Sequence, residues 1–401
     1  MRKILSFFII LIIAYFLFTP ISFSYTENAF IWSEETSDVS ALPSTDLQLE
    51  SGSAILIEQN SGKVLYEHNS HEQLRPASVT KVMSILLIME ALDSSKISLT
   101  DNVPCSENAA SMGGSQIWLD TRETLTVDEM LKAICVASAN DCTVAMAEYL
   151  AGSEEAFVER MNARAKELGM NDTYFKNCHG LDTDGHVTSA YDISVMSREL
   201  LKNHPSITNY TTIWMDTLRN GKSELTNTNK LIRNYKGATG LKTGSTGLAL
   251  YNLSASATRD DLSLIAVIMK APSTKVRFSE AEKLLDYGFN SYSYISFAKK
   301  NSVLTSLTVT KGVETSVNAI YAEDSGSLLK KDENKNIEQI VSLPEVIEAP
   351  IYANQKLGEV KHVLNGETIS ITPIVADREV KKISLSNMVE NLFFKWFKVL
   401  R

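Results

Sequence analysis

Apolar positions divide the chain into stretches of distinct period. Residues 4–18 are almost all apolar behind Met1-Arg2-Lys3, and Pro20 and Ser22-Phe23-Ser24 follow. A basic start, an apolar run and small residues make a secretory signal peptide, with cleavage expected after Ser24. An uncleaved anchor is the alternative, because the run is long for a signal peptide and slightly short for a span. Residues 25–50 carry six acids, no lysine or arginine and little periodicity, which predicts a solvated linker.

Ordered patterning begins after this. Residues 53–58 and 64–67, joined by Gln59-Asn60-Ser61-Gly62, predict a β-hairpin. The run after Ser78 (Val82, Met83, Ile85, Leu86, Leu87, Ile88, Met89) is apolar on nearly every face and predicts a helix buried in a large core. Thr126-Val127-Asp128-Glu129 is a capping box that opens a helix to about Val136, where Ser138-Ala139-Asn140 interrupts it. A second helix over 141–150 ends at Gly152, and a third over 154–168 is closed by Gly169. Residues 99–206 are therefore expected to form an all-helical insertion. Strands over 248–257 and 262–269, joined by Thr258-Arg259-Asp260-Asp261, precede a terminal helix over 279–287. Strands that bracket a helical block predict an α+β fold with helices on the faces of one sheet.

From 292 to 380 the pattern changes to short alternating strands, 304–310, 314–321, 337–343 and 368–374, which predict a small β-rich domain without chemistry of its own. In residues 381–401, Leu385, Met388, Val389, Leu392, Phe393, Trp396 and Leu400 share one helical face, and the stretch holds five basic residues and one acid. Such an amphipathic helix suits the interface of an anionic bilayer; docking on the protein's own core is the alternative. The expected division is signal peptide 1–24, linker 25–50, catalytic domain 51–291, β-rich domain 292–380 and anchor helix 381–401.

Composition narrows the classes. At 401 residues and 44% hydrophobic content the chain can bury a sizeable core and is expected to hold two domains plus terminal segments, and a net charge of -9 argues against nucleic acid as a general partner. Four cysteines (Cys105, Cys135, Cys142, Cys178) in an exported protein raise the question of disulfides. A chain this long does not need such staples, and small thiols pack well in helices, so four free thiols are expected.

Candidate chemistry starts at Ser78-Val79-Thr80-Lys81. On the first turn of a buried helix, Ser78 lies at the positive end of the macrodipole, and Lys81, three residues on, shares its face. If burial and a neighbouring cation lower its pKa, the lysine amine can take the hydroxyl proton without a histidine. Ser-x-x-Lys also occurs at Ser296/Lys299 and Ser327/Lys330, but neither has the buried helix, and Ser327 precedes a polar run read as a solvated loop. A second motif, Ser138-Ala139-Asn140, is also matched by Ser106-Glu107-Asn108. The third, Lys242-Thr243-Gly244, occurs once, at the start of a strand. It is the ordered set of three that is specific. His179 to His186 encloses Asp182 and Asp184, yet this density of glycine and aspartate reads as turns and no His-Glu-x-x-His is present. No metal and no other cofactor is expected.

With these motifs, the sequence resembles the active-site serine penicillin-recognising family, above all its low-molecular-mass D-Ala-D-Ala carboxypeptidases. Asn177-Cys178-His179-Gly180-Leu181 and Ala190-Tyr191-Asp192 share the likeness. The resemblance implies a β-lactamase/transpeptidase-like sheet flanked by helices. It implies that Ser78 attacks the carbonyl between two D-alanines, that Lys81 accepts its proton, and that Ser138 relays it to the departing D-alanine. Asn140 is then expected to bond the substrate's backbone amide, and Lys242 and Thr243 to hold the terminal carboxylate. The resemblance also implies that Gly244 lets the strand approach the substrate and that the N–H groups of Ser78 and Ser245 form the oxyanion hole. Peptidoglycan stem peptides are the implied substrate, β-lactams the implied inhibitors, and the outer face of the membrane the implied location. Leu250 stands where many relatives have glycine. A class A β-lactamase would need a Glu-x-x-Leu-Asn loop, which Glu199-Leu200-Leu201-Lys202-Asn203 breaks at Lys202. A penicillin-binding pseudoenzyme that scaffolds wall proteins is the non-enzymatic alternative.

Overall fold

The computed structural model describes residues 47–331 and 336–384. The signal-peptide reading, most of the linker and all but the first residues of the anchor-helix reading lie outside them.

A five-stranded antiparallel sheet organises the first domain, in the order β2-β1-β9-β8-β7: β1 Ser53–Glu58, β2 Val64–His68, β7 Ala238–Thr246, β8 Leu250–Arg259 and β9 Leu262–Ala271. Central strands β1 and β9 read as nearly unbroken apolar runs because helices cover both faces. Ala54, Leu56, Leu264, Ala266 and Ile268 pack with Ala281, Leu284, Leu285 and Phe289 of the terminal helix Thr274–Ser291 (α6). One residue out of phase, Ile55, Ile57, Ile265, Val267 and Met269 join the larger core on the opposite face. That period of two assigns every side chain to one helical layer or the other.

The larger core is built around Lys81–Asp93 (α1), whose Val82, Met83, Ile85, Leu86, Ile88 and Met89 are all buried. Around it lie α2 Val127–Val136, α3 Asn140–Ala151, α4 Glu154–Glu167 and α5 Ala190–Asn203. The capping box is present: Thr126 Oγ1 accepts from the Glu129 N–H, and the Glu129 carboxylate accepts from the Thr126 N–H. Gly152, left-handed at φ +87°, ends α3.

Several expectations need correction. The insertion is not all helical: β3 Asn102–Pro104 pairs with β4 Thr124–Thr126, and β5 Met215–Leu218 with β6 Ser223–Thr226 follows it. Strands of three or four residues are too short to establish a period. Ser78 lies not in the α-helix but in a 3-10 turn, Ala77–Thr80, that leads into it. The polar run expected to form a loop after Ser327 begins inside a strand: Lys330 ends β13 Ser325–Lys330, in which Ser327 lies opposite Ile295 of β10 Tyr292–Ala298 and Leu328 and Leu329 are buried.

The second domain is a six-stranded sheet in the order β14-β16-β17-β12-β11-β15, with β11 Val303–Thr310, β12 Ser316–Tyr321, β14 Ile337–Ser342, β15 Val346–Glu348, β16 Lys356–Leu364 and β17 Glu367–Ala376. Val309, Val317, Ala319, Ile351, Val360 and Ile374 form its separate core. All four cysteines are buried free thiols. Among the described residues, no helix is long and apolar enough to cross a membrane.

Candidate active site

The three motifs meet between α1, the α2–α3 break and β7. Ser78 is half-buried at the mouth, with Val79 and Thr80 fully buried beneath it. Lys81, the first residue of α1, is fully buried, and its Nζ lies 3.0 Å from Ser78 Oγ, 2.5 Å from Asn140 Oδ1 and 2.7 Å from the His179 carbonyl oxygen. Burial holds the Lys81 pKa well below its usual value, and the nearby Lys242 lowers it further. A neutral amine has two N–H donors and one lone pair. Asn140 Oδ1 and the His179 carbonyl can only accept, so they take both N–H groups, and the lone pair is left for the Ser78 hydroxyl. In that state the free lone pair of Lys81 would face the Ser78 hydroxyl, 3.0 Å away.

Asn140 is itself fixed. Its Nδ2 donates to the Gly113 carbonyl at 2.7 Å, and its backbone N–H to the Ser115 carbonyl at 2.7 Å. The neighbouring Asp141, fully buried, accepts from the N–H groups of Ile117 and Leu119 and so ties down the same loop. Ser138 occupies the α2–α3 break in a left-handed conformation, φ +62°, and among the described residues its buried Oγ has no hydrogen-bond partner.

Lys242 lies in the middle of β7 and not at the start of a strand as expected; it is buried, donates to the Thr243 carbonyl at 2.9 Å and has its pKa pushed down by burial to about 7. Thr243 Oγ1 donates to Thr228 Oγ1 at 2.6 Å. Gly244 crosses directly against the turn that carries Ser78: a Cβ there would stand 2.8 Å from the Pro76 oxygen and 2.9 Å from the Ser78 nitrogen. Ser245, the next residue, is exposed.

Sequence reasoning missed the backbone groups and the arginine that frame this site. Gly180, at φ +91°, lies so close to the turn before Ser78 that a Cβ would sit 1.9 Å from the Ala77 oxygen. Arg277 of α6, almost fully buried, donates to the carbonyls of Gly244 and Asn252 at 3.2 Å each and contacts the Tyr251 and Phe278 rings. Burial lowers its pKa to about 10, so at neutral pH it places a cation under β7. Carbonyl oxygens leave no mark in a sequence, and one arginine in a helix is an ordinary occurrence. The groups weighed as metal ligands have protein partners, and both aspartates lie within 4.0 Å of Arg75. His186 Nδ1 accepts from the Lys176 N–H, Asp182 accepts from Thr246 Oγ1, and Asp184 pairs with Arg75.

Comparison with known proteins adds to this geometry. Residues 38–273 match the D-alanyl-D-alanine carboxypeptidase family, peptidase S11, and residues 292–382 match the C-terminal domain of penicillin-binding protein 5. The chain is 44% identical over 358 residues to D-alanyl-D-alanine carboxypeptidase DacF of Bacillus subtilis, covering 88% of this chain and 92% of that protein. Penicillin-binding protein 5 from Haemophilus influenzae superimposes with a TM-score of 0.70 at 29% identity, over 84% of this chain and 98% of that one. The ampicillin-bound form of penicillin-binding protein D2 from Listeria monocytogenes is similar at a TM-score of 0.56 and 30% identity, over 61% of this chain and 99% of that one.

Proposed function

Because the chain belongs to the D-alanyl-D-alanine carboxypeptidase family, we propose that Ser78 is its acylated nucleophile and Lys81 the base that activates it. The protein is a serine-type carboxypeptidase and penicillin-binding protein that acts on the cell wall, outside the cytoplasm. The single observation that carries the assignment of roles is the Lys81 amine, buried between two pure acceptors with its lone pair toward Ser78.

In this reading Ser78 Oγ attacks the carbonyl carbon of the penultimate D-alanine while its proton passes to Lys81 Nζ. The carbonyl oxygen becomes an oxyanion held by the N–H groups of Ser78 and Ser245. Collapse breaks the peptide bond, and the leaving amine takes the proton from Lys81 through Ser138, whose unpartnered hydroxyl suits a relay. D-Alanine departs, and water hydrolyses the ester on Ser78 with Lys81 again as base. Asn140 Oδ1 keeps a second lone pair beside Lys81, which suits a substrate N–H. Lys242 and Thr243 anchor the terminal carboxylate, with the Arg277 cation beneath the strand.

This division of labour predicts a bell-shaped pH profile. Only free Lys81 can accept a proton, so activity falls as acid protonates it. Only charged Lys242 holds the carboxylate by ion pairing, and that charge is lost as pH rises through about 7. The alkaline limb of kcat/KM reports the free enzyme. Lys242→Arg is expected to move that limb upward, since a guanidinium stays charged. An unmoved limb in a folded, active variant overturns the Lys242 role.

Attachment is a separate proposal, supported by the basic, one-sided apolar pattern of residues 381–401. Deleting these residues is expected to release the mature protein from membranes with soluble activity retained. If fractionation is unchanged and the N-terminal segment is found cleaved, the anchor reading fails.

A further inference from the structure

Ala77, immediately before the nucleophile, adopts φ +49°, a conformation that an alanine holds only when its surroundings enforce it. The enforcing contacts converge on its carbonyl. Thr80 Oγ1 donates to the Ala77 oxygen at 2.8 Å, and His186 Nε2 lies 2.8 Å from the same Thr80 Oγ1. His186 Nδ1 accepts the Lys176 N–H at 2.9 Å, so the ring proton of the neutral imidazole is on Nε2 and points at Thr80. His186 is 2% exposed, and burial pushes its pKa down to about 4. The result is a one-way chain from His186 N–H to Thr80 O–H to the Ala77 carbonyl.

That carbonyl belongs to the peptide group whose N–H is Ser78's. A trans peptide is planar, with C=O and N–H pointing in opposite directions, so holding the oxygen aims the hydrogen. A carbonyl that accepts a hydrogen bond also makes the N–H of the same peptide a stronger donor. We propose that His186 is a positioning residue for the oxyanion hole, acting through Thr80 to aim and polarise the Ser78 N–H. The inference rests on reading that N–H as an oxyanion donor. His186 touches neither the substrate nor Ser78 Oγ in this role, so its effect belongs to the transition state and not to substrate affinity.

The test compares His186→Phe, His186→Gln and Thr80→Val in the full-length protein, using D-alanine release from a muramyl pentapeptide and inhibition by a D-alanine-type peptide boronic acid. Loss of a whole oxyanion-hole donor costs about 10²–10³-fold in kcat, and a misaimed donor is expected to cost roughly ten- to a hundredfold. His186→Phe should lower kcat by that factor with KM within about twofold, and boronate affinity should fall in parallel. A glutamine amide can donate to Thr80 and accept from Lys176, so His186→Gln should recover most of the loss. On a Thr80→Val background, His186→Phe should add little, because both act through one chain.

An unchanged kcat in folded His186→Phe overturns the proposal. So does a loss confined to KM, or full additivity with Thr80→Val. If His186→Phe fails to fold, the kcat and boronate affinity of Thr80→Val decide: a parallel fall supports the chain, and wild-type values overturn it. If the boronate does not inhibit wild-type enzyme that is releasing D-alanine, the oxyanion-hole reading has failed instead.

Discussion

Ser78→Ala is expected to abolish D-alanine release, with kcat reduced by about 10⁴-fold or more. The same variant should take up no ampicillin, whereas intact-protein mass spectrometry should find one covalent adduct on the wild-type chain. The size of the effect follows from the geometry. Ser78 supplies the hydroxyl to which the Lys81 lone pair is directed, at 3.0 Å, and the other two groups on Nζ are carbonyl oxygens that cannot be nucleophiles. The fold should hardly notice the change: Ser78 is half-buried, and the turn that carries it is anchored by Val79, Thr80 and Lys81. An unchanged melting temperature would therefore assign the loss to chemistry. Retained turnover in Ser78→Ala would sink the mechanism entirely.

The second large effect is expected from a methyl group. In Gly180→Ala the new Cβ would lie 1.9 Å from the Ala77 oxygen, 2.4 Å from its carbonyl carbon and 2.9 Å from the Ser78 nitrogen. All three are backbone atoms, so no flexible side chain can swing away to relieve the clash. The left-handed φ of +91° adds about 1 kcal/mol or more of strain. Because the peptide that must move contains the proposed oxyanion donor and precedes the nucleophile, acylation by a β-lactam should slow by roughly a hundredfold or more. The melting temperature should fall by several degrees. Gly152→Ala is the control: its φ is equally left-handed, +87°, but a Cβ there meets nothing within 4 Å. It should lose about 1 kcal/mol of stability and no acylation rate. Comparable acylation losses in both variants would mean that conformational strain, not proximity to Ser78, is responsible.

What could be read in the sequence was whatever had a period or a fixed spacing. The hairpin at Ser53–Glu58, the buried helix after Ser78, the capping box at Thr126 and the strands around Asp260 all appear in the structure. So does the meeting of Ser78 and Lys81 with Asn140, since each motif lies at the end of a regular element. Contacts between distant backbones could not be read. Nothing in Gly113, Ser115 or His179 as residue types foretells that their carbonyls hold the asparagine, its helix and the lysine. In the second domain β16 was missed because its register shifts between Lys356 and Gly358, so that the buried Leu357 and Val360 stand three residues apart and break the alternation that marks a strand. Strand β13 was missed because Leu328 and Leu329 are both buried while the residues after them are polar, a pattern with no clean period.

The four thiols bear on how the protein is made and how it ages. Cys105, Cys135, Cys142 and Cys178 are buried and unbridged, and burial raises the pKa of each, so little reactive thiolate exists at neutral pH. A wall enzyme of this design matures without an oxidant or a disulfide isomerase, and reducing surroundings cost it nothing. Its sensitivity to peroxide or thiol reagents is then set by how often the helical core opens, so that oxidative lifetime becomes a measure of conformational stability.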